Sequence, residues 1–332
     1  MFQRDSTRSF MRSRRSLTRG IIRSDIAHSF STKLGLLILV AGVLFLVYVW
    51  RNSSAKDQVT AALRPNPRAR GTAAGGNMEP TLVTNGANNN HEFSTGGAVM
   101  KNVYKTANLS EPIPENVLKL RDSVNIEEKT IECSGSNVFY RMATPPAGHY
   151  AKGDILLLHG QAFTSANWIE INTLRTLAAA GFRTVAIDLP GYGKTGGAAM
   201  RADEKPLFLG RLLKSLGLKK PVLVSPSMSG SFSLPFLIAN SQQLSAYVPV
   251  APVGTGDYQY EQYSKIKLPT LIVYGSRDTS LGLNSKANLQ ALPNGRVLKI
   301  ENAGHAAYMN QPEVFHASLL NFLDLVKTHG AI

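Results

Sequence analysis

Three side chains suited to acyl transfer (a hydroxyl, a carboxylate and an imidazole) each follow a short apolar run. Ser227 stands in Val222-Leu-Val-Ser-Pro-Ser-Met-Ser-Gly230, a strand-like run entering a turn of small residues. Asp278 closes Thr270-Leu-Ile-Val-Tyr-Gly-Ser-Arg-Asp278, and His305 closes Val297-Leu-Lys-Ile-Glu-Asn-Ala-Gly-His305. A serine hydroxyl is a poor nucleophile until a neutral imidazole takes its proton. A buried carboxylate fixes the imidazole tautomer and stabilises the imidazolium that forms. The pattern predicts Ser227 as nucleophile, His305 as base and Asp278 as acid. A fourth run, Asp154-Ile-Leu-Leu-Leu-His-Gly-Gln161, predicts the backbone N–H groups of Gln161 and Met228 as donors to an oxyanion. Each donor is worth roughly 3 kcal/mol if aimed at the developing charge.

The turn around Ser227 carries Ser225 and Ser229 where a G-x-S-x-G pattern has glycines, and serine enters strained backbone at a cost glycine avoids. Ser229 falls where the next helix begins, and Ser225 has Leu223 where a small residue is needed, so both are weaker nucleophiles by position. Asp257 is the alternative acid, and Asp278 has a rival role as a cap for a segment starting near Leu281. His159 reads as structural, bonding loop backbone behind the oxyanion donors. His316 sits inside a helical pattern and His329 near the chain end, both poor places for a base. Asp188-Leu-Pro-Gly-Tyr-Gly-Lys-Thr195 ends like a phosphate-binding loop, but Asp188 stands where G-x-x-x-x-G-K-[ST] requires glycine. Its glycines suit a sharp turn after a strand. No nucleotide, metal or other cofactor is expected.

Positioning the trio requires strands that end at one edge. Two short strands near 127–133 and 137–143 are followed by strands at 154–158, 183–187, 221–225, 246–250, 270–274 and 296–301. Helical patterns lie between most of them, at Trp168–Ala180, Leu207–Leu216 and Pro312–Lys327. Such alternation predicts an α/β fold, a mostly parallel central sheet with helices on both faces. The strands ending near Val250 and starting at Thr270 lie too close for a cap domain between them, so the mouth of the site is expected to be shallow and open.

The preceding sequence has another character. Residues 1–33 are basic, and Leu34–Trp50 is a run of seventeen residues without a charge, closed by Arg51. As a helix it reaches about 26 Å, close to the thickness of thinner bilayers. Half of the formal net charge of +14 falls before residue 52, through nine Lys and Arg against two acids. The positive-inside bias then predicts a single-pass type II signal-anchor, with the remainder lumenal or extracellular. A mitochondrial inner-membrane placement is the rival, because residues 1–30 are rich in Arg and Ser and poor in acids. Residues 51–122 read as a flexible stem with a glycosylation sequon at Asn108, and residues 123–332 as the catalytic domain. The lone Cys133 excludes an internal disulfide. The basic balance speaks of membrane topology; without a basic stripe interleaved with aromatics, nucleic acid is not an expected partner.

The order Ser, Asp, His is that of the α/β-hydrolases. From the His-Gly loop to His305 the chain resembles that superfamily. More narrowly it resembles the abhydrolase domain-containing protein 14 group, in its membrane-anchored form. The resemblance rests on Leu158-His-Gly-Gln, Trp168, Val185-Ala-Ile-Asp-Leu-Pro-Gly-Tyr-Gly193, Ser225-Pro-Ser-Met-Ser-Gly230, Leu234-Pro-Phe236, Val248-Pro-Val-Ala-Pro252, Leu271-Ile-Val-Tyr-Gly275 and Ala303-Gly-His305. It implies the same trio, Ser227, Asp278 and His305. The expected activity is cleavage or transfer of small acyl groups, esters above all, through an acyl-serine. The alternative is a silent hydrolase-fold binding module tethered to a membrane.

Overall fold

The computed structural model describes residues 102–331. The helices, in chain order, are α1 (Val103–Thr106), α2 (Glu115–Arg121), α3 (Asn167–Glu170), α4 (Thr173–Ala179), α5 (Lys205–Ser215), α6 (Gly230–Asn240), α7 (Tyr260–Ser264), α8 (Leu281–Leu289), α9 (Ala307–Asn310) and α10 (Pro312–Thr328). The strands are β1 (Ile126–Cys133), β2 (Ser136–Ala143), β3 (Asp154–Leu157), β4 (Arg183–Ile187), β5 (Val222–Pro226), β6 (Ala246–Val250), β7 (Thr270–Gly275) and β8 (Gly295–Ile300). They form one sheet in the order β1-β2-β4-β3-β5-β6-β7-β8.

Only β1–β2 and β2–β4 pair antiparallel; every other neighbour is parallel. The β1–β2 hairpin closes through Ser134 and Gly135, both at positive φ, the geometry whose twist matches flanking strands in a two-residue turn. The strands from β3 to β7 are almost wholly buried, so they read as continuous apolar runs. Successive side chains on a strand point to opposite faces. Ile155, Leu157, Val222 and Val224 accordingly join a core with Trp168, Tyr308, Phe315 and Leu319, under α4 and α10. Leu156, Leu158 and Leu223 join a second core with Phe208, Leu212, Phe232 and Phe236, under α5 and α6. Burial is worth roughly 1.5–3 kcal/mol for each such side chain.

Two expectations change. The helix expected over Trp168–Ala180 is broken at Asn172, whose φ of 60° interrupts the ladder between α3 and α4. Asparagine visits that region because its short polar side chain bonds locally. The boundary between stem and domain, expected at 122/123, also moves. Leu109, Ile113 and Val117 are buried in the first core, Asn102 Nδ2 donates to the Pro293 carbonyl at 3.1 Å, and Asn321 Nδ2 donates to the Glu111 carbonyl at 2.8 Å. Residues from 102 onward are thus part of the packed unit. Composition concealed this because so few apolar residues carry the contact. Among the described residues no helix is long and apolar enough to cross a membrane. The segment 34–50, the basic residues 1–33 and most of the expected stem lie outside the described residues.

Candidate active site

β5 delivers Ser227 into a backbone that a non-glycine residue adopts only at a cost. Its φ is +50°, whereas Ser229 has an ordinary helical φ of −66°. The strain falls on the candidate nucleophile itself, not on the serines flanking it, and is of order 1–3 kcal/mol. Two contacts hold it. The Ser227 carbonyl accepts the Val253 N–H at 2.9 Å, and Gly230 lies so close to β6's exit that an added Cβ would sit 2.5 Å from the Val253 oxygen. The glycine this elbow requires is therefore Gly230, one place beyond the expected pattern.

Ser225 and Ser229 are fully buried and join a hydrogen-bonded line below the turn. Ser229 Oγ donates to the Pro226 carbonyl at 2.7 Å. With that hydrogen committed, Ser225 Oγ donates to Ser229 Oγ at 3.0 Å. Ser233 Oγ then donates to Ser225 Oγ at 2.6 Å, and Tyr247 O–H to Ser233 Oγ at 2.8 Å. Each oxygen finds a partner, and the line ends on the peptide next to Ser227.

The candidate base and acid come from loops that are stitched together. Ser276 N–H donates to the Ile300 carbonyl and Arg277 N–H to the Ala303 carbonyl, each at 2.9 Å. Gly275 packs directly on the Ala303 and Gly304 carbonyls, which leaves no room for a side chain. The Gly304 N–H is held by Asn310 Oδ1 at 2.8 Å. In this frame His305 Nδ1 lies 2.6 Å from Asp278 Oδ2, and His305 Nε2 lies 2.7 Å from Ser227 Oγ. The Asp278 side chain is 7% exposed and that of His305 38%, so the line runs from the interior towards solvent. Burial pushes the Asp278 carboxyl up. The hydrogen bond from His305 and backbone N–H groups of Gly282 and Ser280 outweigh it, leaving the pKa below the ordinary carboxylate value. Gly282 permits that approach, since a Cβ there would meet Asp278 Cγ at 2.9 Å.

The loop after β3 lies against the same serine: a Cβ on Gly160 would be 3.5 Å from Ser227 Cβ. Gln161 is exposed beside it. Met228 is the second residue of a short 3₁₀ turn, where the N–H has no acceptor within the helix. Both expected donors thus border Ser227. His159 lies behind them, fully buried. Its Nε2 accepts the Leu189 N–H at 2.9 Å, so its Nδ1 carries the hydrogen that reaches the Gly160 carbonyl at 2.8 Å. Desolvation pulls its pKa down, in keeping with a neutral ring. Asp188 braces the same loop, with Oδ1 accepting the Ser165 N–H at 2.7 Å and the Ser165 hydroxyl at 2.5 Å. Its Oδ2 takes the Lys194 N–H at 2.8 Å.

The remaining candidates lie elsewhere. Asp257 is exposed in the β6–β7 connection, and it is Asp278 that meets His305. His316 is buried against Thr173, and His329 bonds the Leu325 carbonyl at the end of α10. The β6–β7 connection holds only a 3₁₀ turn (Thr255–Asp257) and the five residues of α7. Asn108 is exposed, its side chain on Glu111 Oε1 at 2.7 Å. Sequence reasoning did not single out Asn310, Ser233, Tyr247 or Ser165. Each acts by contact across elements and carries no local pattern. The arrangement is one in which the His305 imidazole can take the Ser227 hydroxyl proton, with Gln161 and Met228 on either side of that serine.

Comparison with known proteins bears on the family and the fold. Residues 155–239 match the model of the alpha/beta hydrolase family. The chain is 47% identical over 208 residues to protein ABHD14A of Danio rerio, covering 60% of this chain and 77% of that one. It is 45% identical over 205 residues to the human protein named "Putative protein-lysine deacylase ABHD14B", covering 60% of this chain and 97% of that one. Among solved structures it is similar to a predicted CIB-like hydrolase from Thermoplasma acidophilum, with a TM-score of 0.55 at 25% identity over 60% of this chain and 98% of that one. A carboxylesterase of Bacillus subtilis, CesB, shares the fold with a TM-score of 0.50 at 17% identity, over 63% of this chain and 99% of that one.

Proposed function

Since the chain belongs to the ABHD14 group of the α/β-hydrolase family, we propose that it is a membrane-anchored serine hydrolase working through an acyl-Ser227 intermediate. The observation that carries this reading is the unbroken line from Asp278 Oδ2 through His305 to Ser227 Oγ. His305 Nε2 takes the Ser227 proton as Oγ attacks the acyl carbon. The carbonyl oxygen, gaining charge, meets the N–H groups of Gln161 and Met228. The imidazolium, stabilised by Asp278, gives its proton to the leaving group, and the ring then activates the acceptor for the second half. Water is the default acceptor, with a thiol or amine as the variant that makes the reaction a transfer. Small acyl esters are the first substrate class, and acyl-lysine amides the second, because relatives carry a protein-lysine deacylase name.

The anchor is proposed at Leu34–Trp50, with residues 1–33 cytosolic and the hydrolase domain lumenal or extracellular; the mitochondrial inner membrane is the alternative. Asn108 is then available for glycosylation, its side chain being exposed. A silent binding module would follow if the serines at the elbow flanks distorted the turn. With both flanks unstrained and hydrogen-bonded, no observation favours it.

The test is labelling of the full chain by a fluorophosphonate probe, followed by turnover of a panel of acyl donors with and without added thiol. Ser227→Ala is expected to abolish labelling; labelling that persists at the parent level removes Ser227 from the mechanism.

A further inference from the structure

Lys205 opens α5 with its ammonium against the elbow. Nζ donates to Ser231 Oγ at 2.9 Å, and Ser231 Oγ donates in turn to the Met228 carbonyl at 2.9 Å. The same Nζ sits 4.9 Å from the centroid of the Phe232 ring. Ser231 follows Ser227 by four residues and lies in the first turn of α6, just past the elbow. The charge is therefore two hydrogen bonds from the carbonyl of Met228, the residue that follows Ser227.

This is a costly place for a lysine. Among the described residues no carboxylate lies within ion-pair distance of it. Its sequence neighbours Asp203 and Glu204 are engaged by Arg201, through Nε at 3.3 Å and the backbone N–H at 3.1 Å. Lys205 is also the first residue of α5, where the helix dipole is positive and an acid is favoured. Partial burial pulls its pKa below the ordinary lysine value. Such costs gather where a group has a task.

We propose that Lys205, aimed by Ser231, is an anion subsite beside Ser227, and that the substrate carries a carboxylate a few bonds from its reacting acyl carbon. An ammonium has three donors; with one on Ser231, two remain for the carboxylate. The hydroxyl hydrogen of Ser231 is committed to Met228, so Ser231 orients the cation and does not itself bind the anion. The inference rests on the acyl-Ser227 reading and adds the class of substrate.

The test uses the full chain and two pairs of esters. 4-Nitrophenyl butyrate against the mono-4-nitrophenyl ester of glutaric acid places the anion on the acyl side. Phenyl acetate against 4-acetoxybenzoate places it on the leaving-group side. In Lys205→Met, kcat/KM for the anionic member of at least one pair is expected to fall roughly ten-fold or more relative to its neutral partner, the scale of one charge-assisted hydrogen bond. Lys205→Arg, which keeps the charge, recovers most of that ratio. Lys214→Met, exposed near the other end of α5, leaves both ratios at the parent value. Parent-like ratios in Lys205→Met for both pairs overturn the subsite. If the full chain turns over none of the four esters, the acyl-Ser227 reading stands or falls by fluorophosphonate labelling, and the subsite is read by calorimetric binding of glutarate. Binding lost in Lys205→Met sustains it; binding that survives the substitution, or none to the parent, overturns it.

Discussion

The edge of the sheet that carries Ser227 and the seam between α2, α4 and α10 treat buried polar atoms in opposite ways. At the edge, Ser225, Ser229, Ser233, Tyr247 and Asp278 all find partners, and the strained Ser227 is gripped through its own carbonyl. In the seam, Arg121 Nε, Thr176 Oγ1 and His316 Nδ1 are buried without one, although His316 Nε2 meets Thr173 Oγ1 at 2.8 Å. An unpaired buried group costs roughly 1–3 kcal/mol. Pairing is complete where a side chain must be placed to a fraction of an ångström, and incomplete where helices need only pack.

Four measurements break or sharpen that contrast. The largest effect is expected from Asp278→Asn, which keeps the volume but reverses the donor pattern facing His305 Nδ1. A loss in kcat of roughly 10⁴-fold is expected with little change in stability. A loss below about ten-fold would mean that the edge is ordered without that pair.

The second effect concerns pH. His316 is buried, and desolvation together with nearby Arg121 lowers its pKa to about 4. A histidine in the unfolded chain takes its proton near 6.5. The unfolded state thus binds more protons between these values, and stability falls as pH drops from about 6.5 to about 4, by roughly 3 kcal/mol. Denaturant melts of His316→Gln across this range are expected to show a shallower slope; an unchanged slope places the acid sensitivity outside the seam. Third, Gly230→Ala puts a methyl on the Val253 carbonyl and is expected to destabilise by about 1–3 kcal/mol. Its activity is expected to fall further than stability alone explains, because Ser227 hangs on the same residue. Smallest is Tyr247→Phe, which removes the last donor of the serine line for about 1 kcal/mol. A loss several times larger would show that the line acts as a cooperative unit.

Much of this was legible in the sequence because it is local. The parallel strands are short apolar runs that end in turns, and each of Ser227, Asp278 and His305 follows one, so convergence at one edge follows from the topology. The glycines were only half legible. A pattern centred on Ser227 looks for small residues two places away, whereas the close contact falls at Gly230 through Val253, far along the chain. The extent of the domain was hidden for a related reason. Leu109, Ile113 and Val117 are spaced among polar residues and prolines, and only their burial against distant elements shows them to belong to the core. Lys205 gave no signal either, since a lysine after two acids reads as an ordinary helix face until Arg201 is seen to take both.

Asn102 lies beside Pro293 and Asn294, just before β8 begins, and α10 returns to the same end, where the rings of Tyr104 and His329 meet. Ser227, Asp278 and His305 lie past the far tips of the strands, about 20 Å away along a six-residue strand. A bead or antibody fixed at Asn102 or at His329 therefore sits behind the strands, and the face that carries Ser227 is left looking the other way.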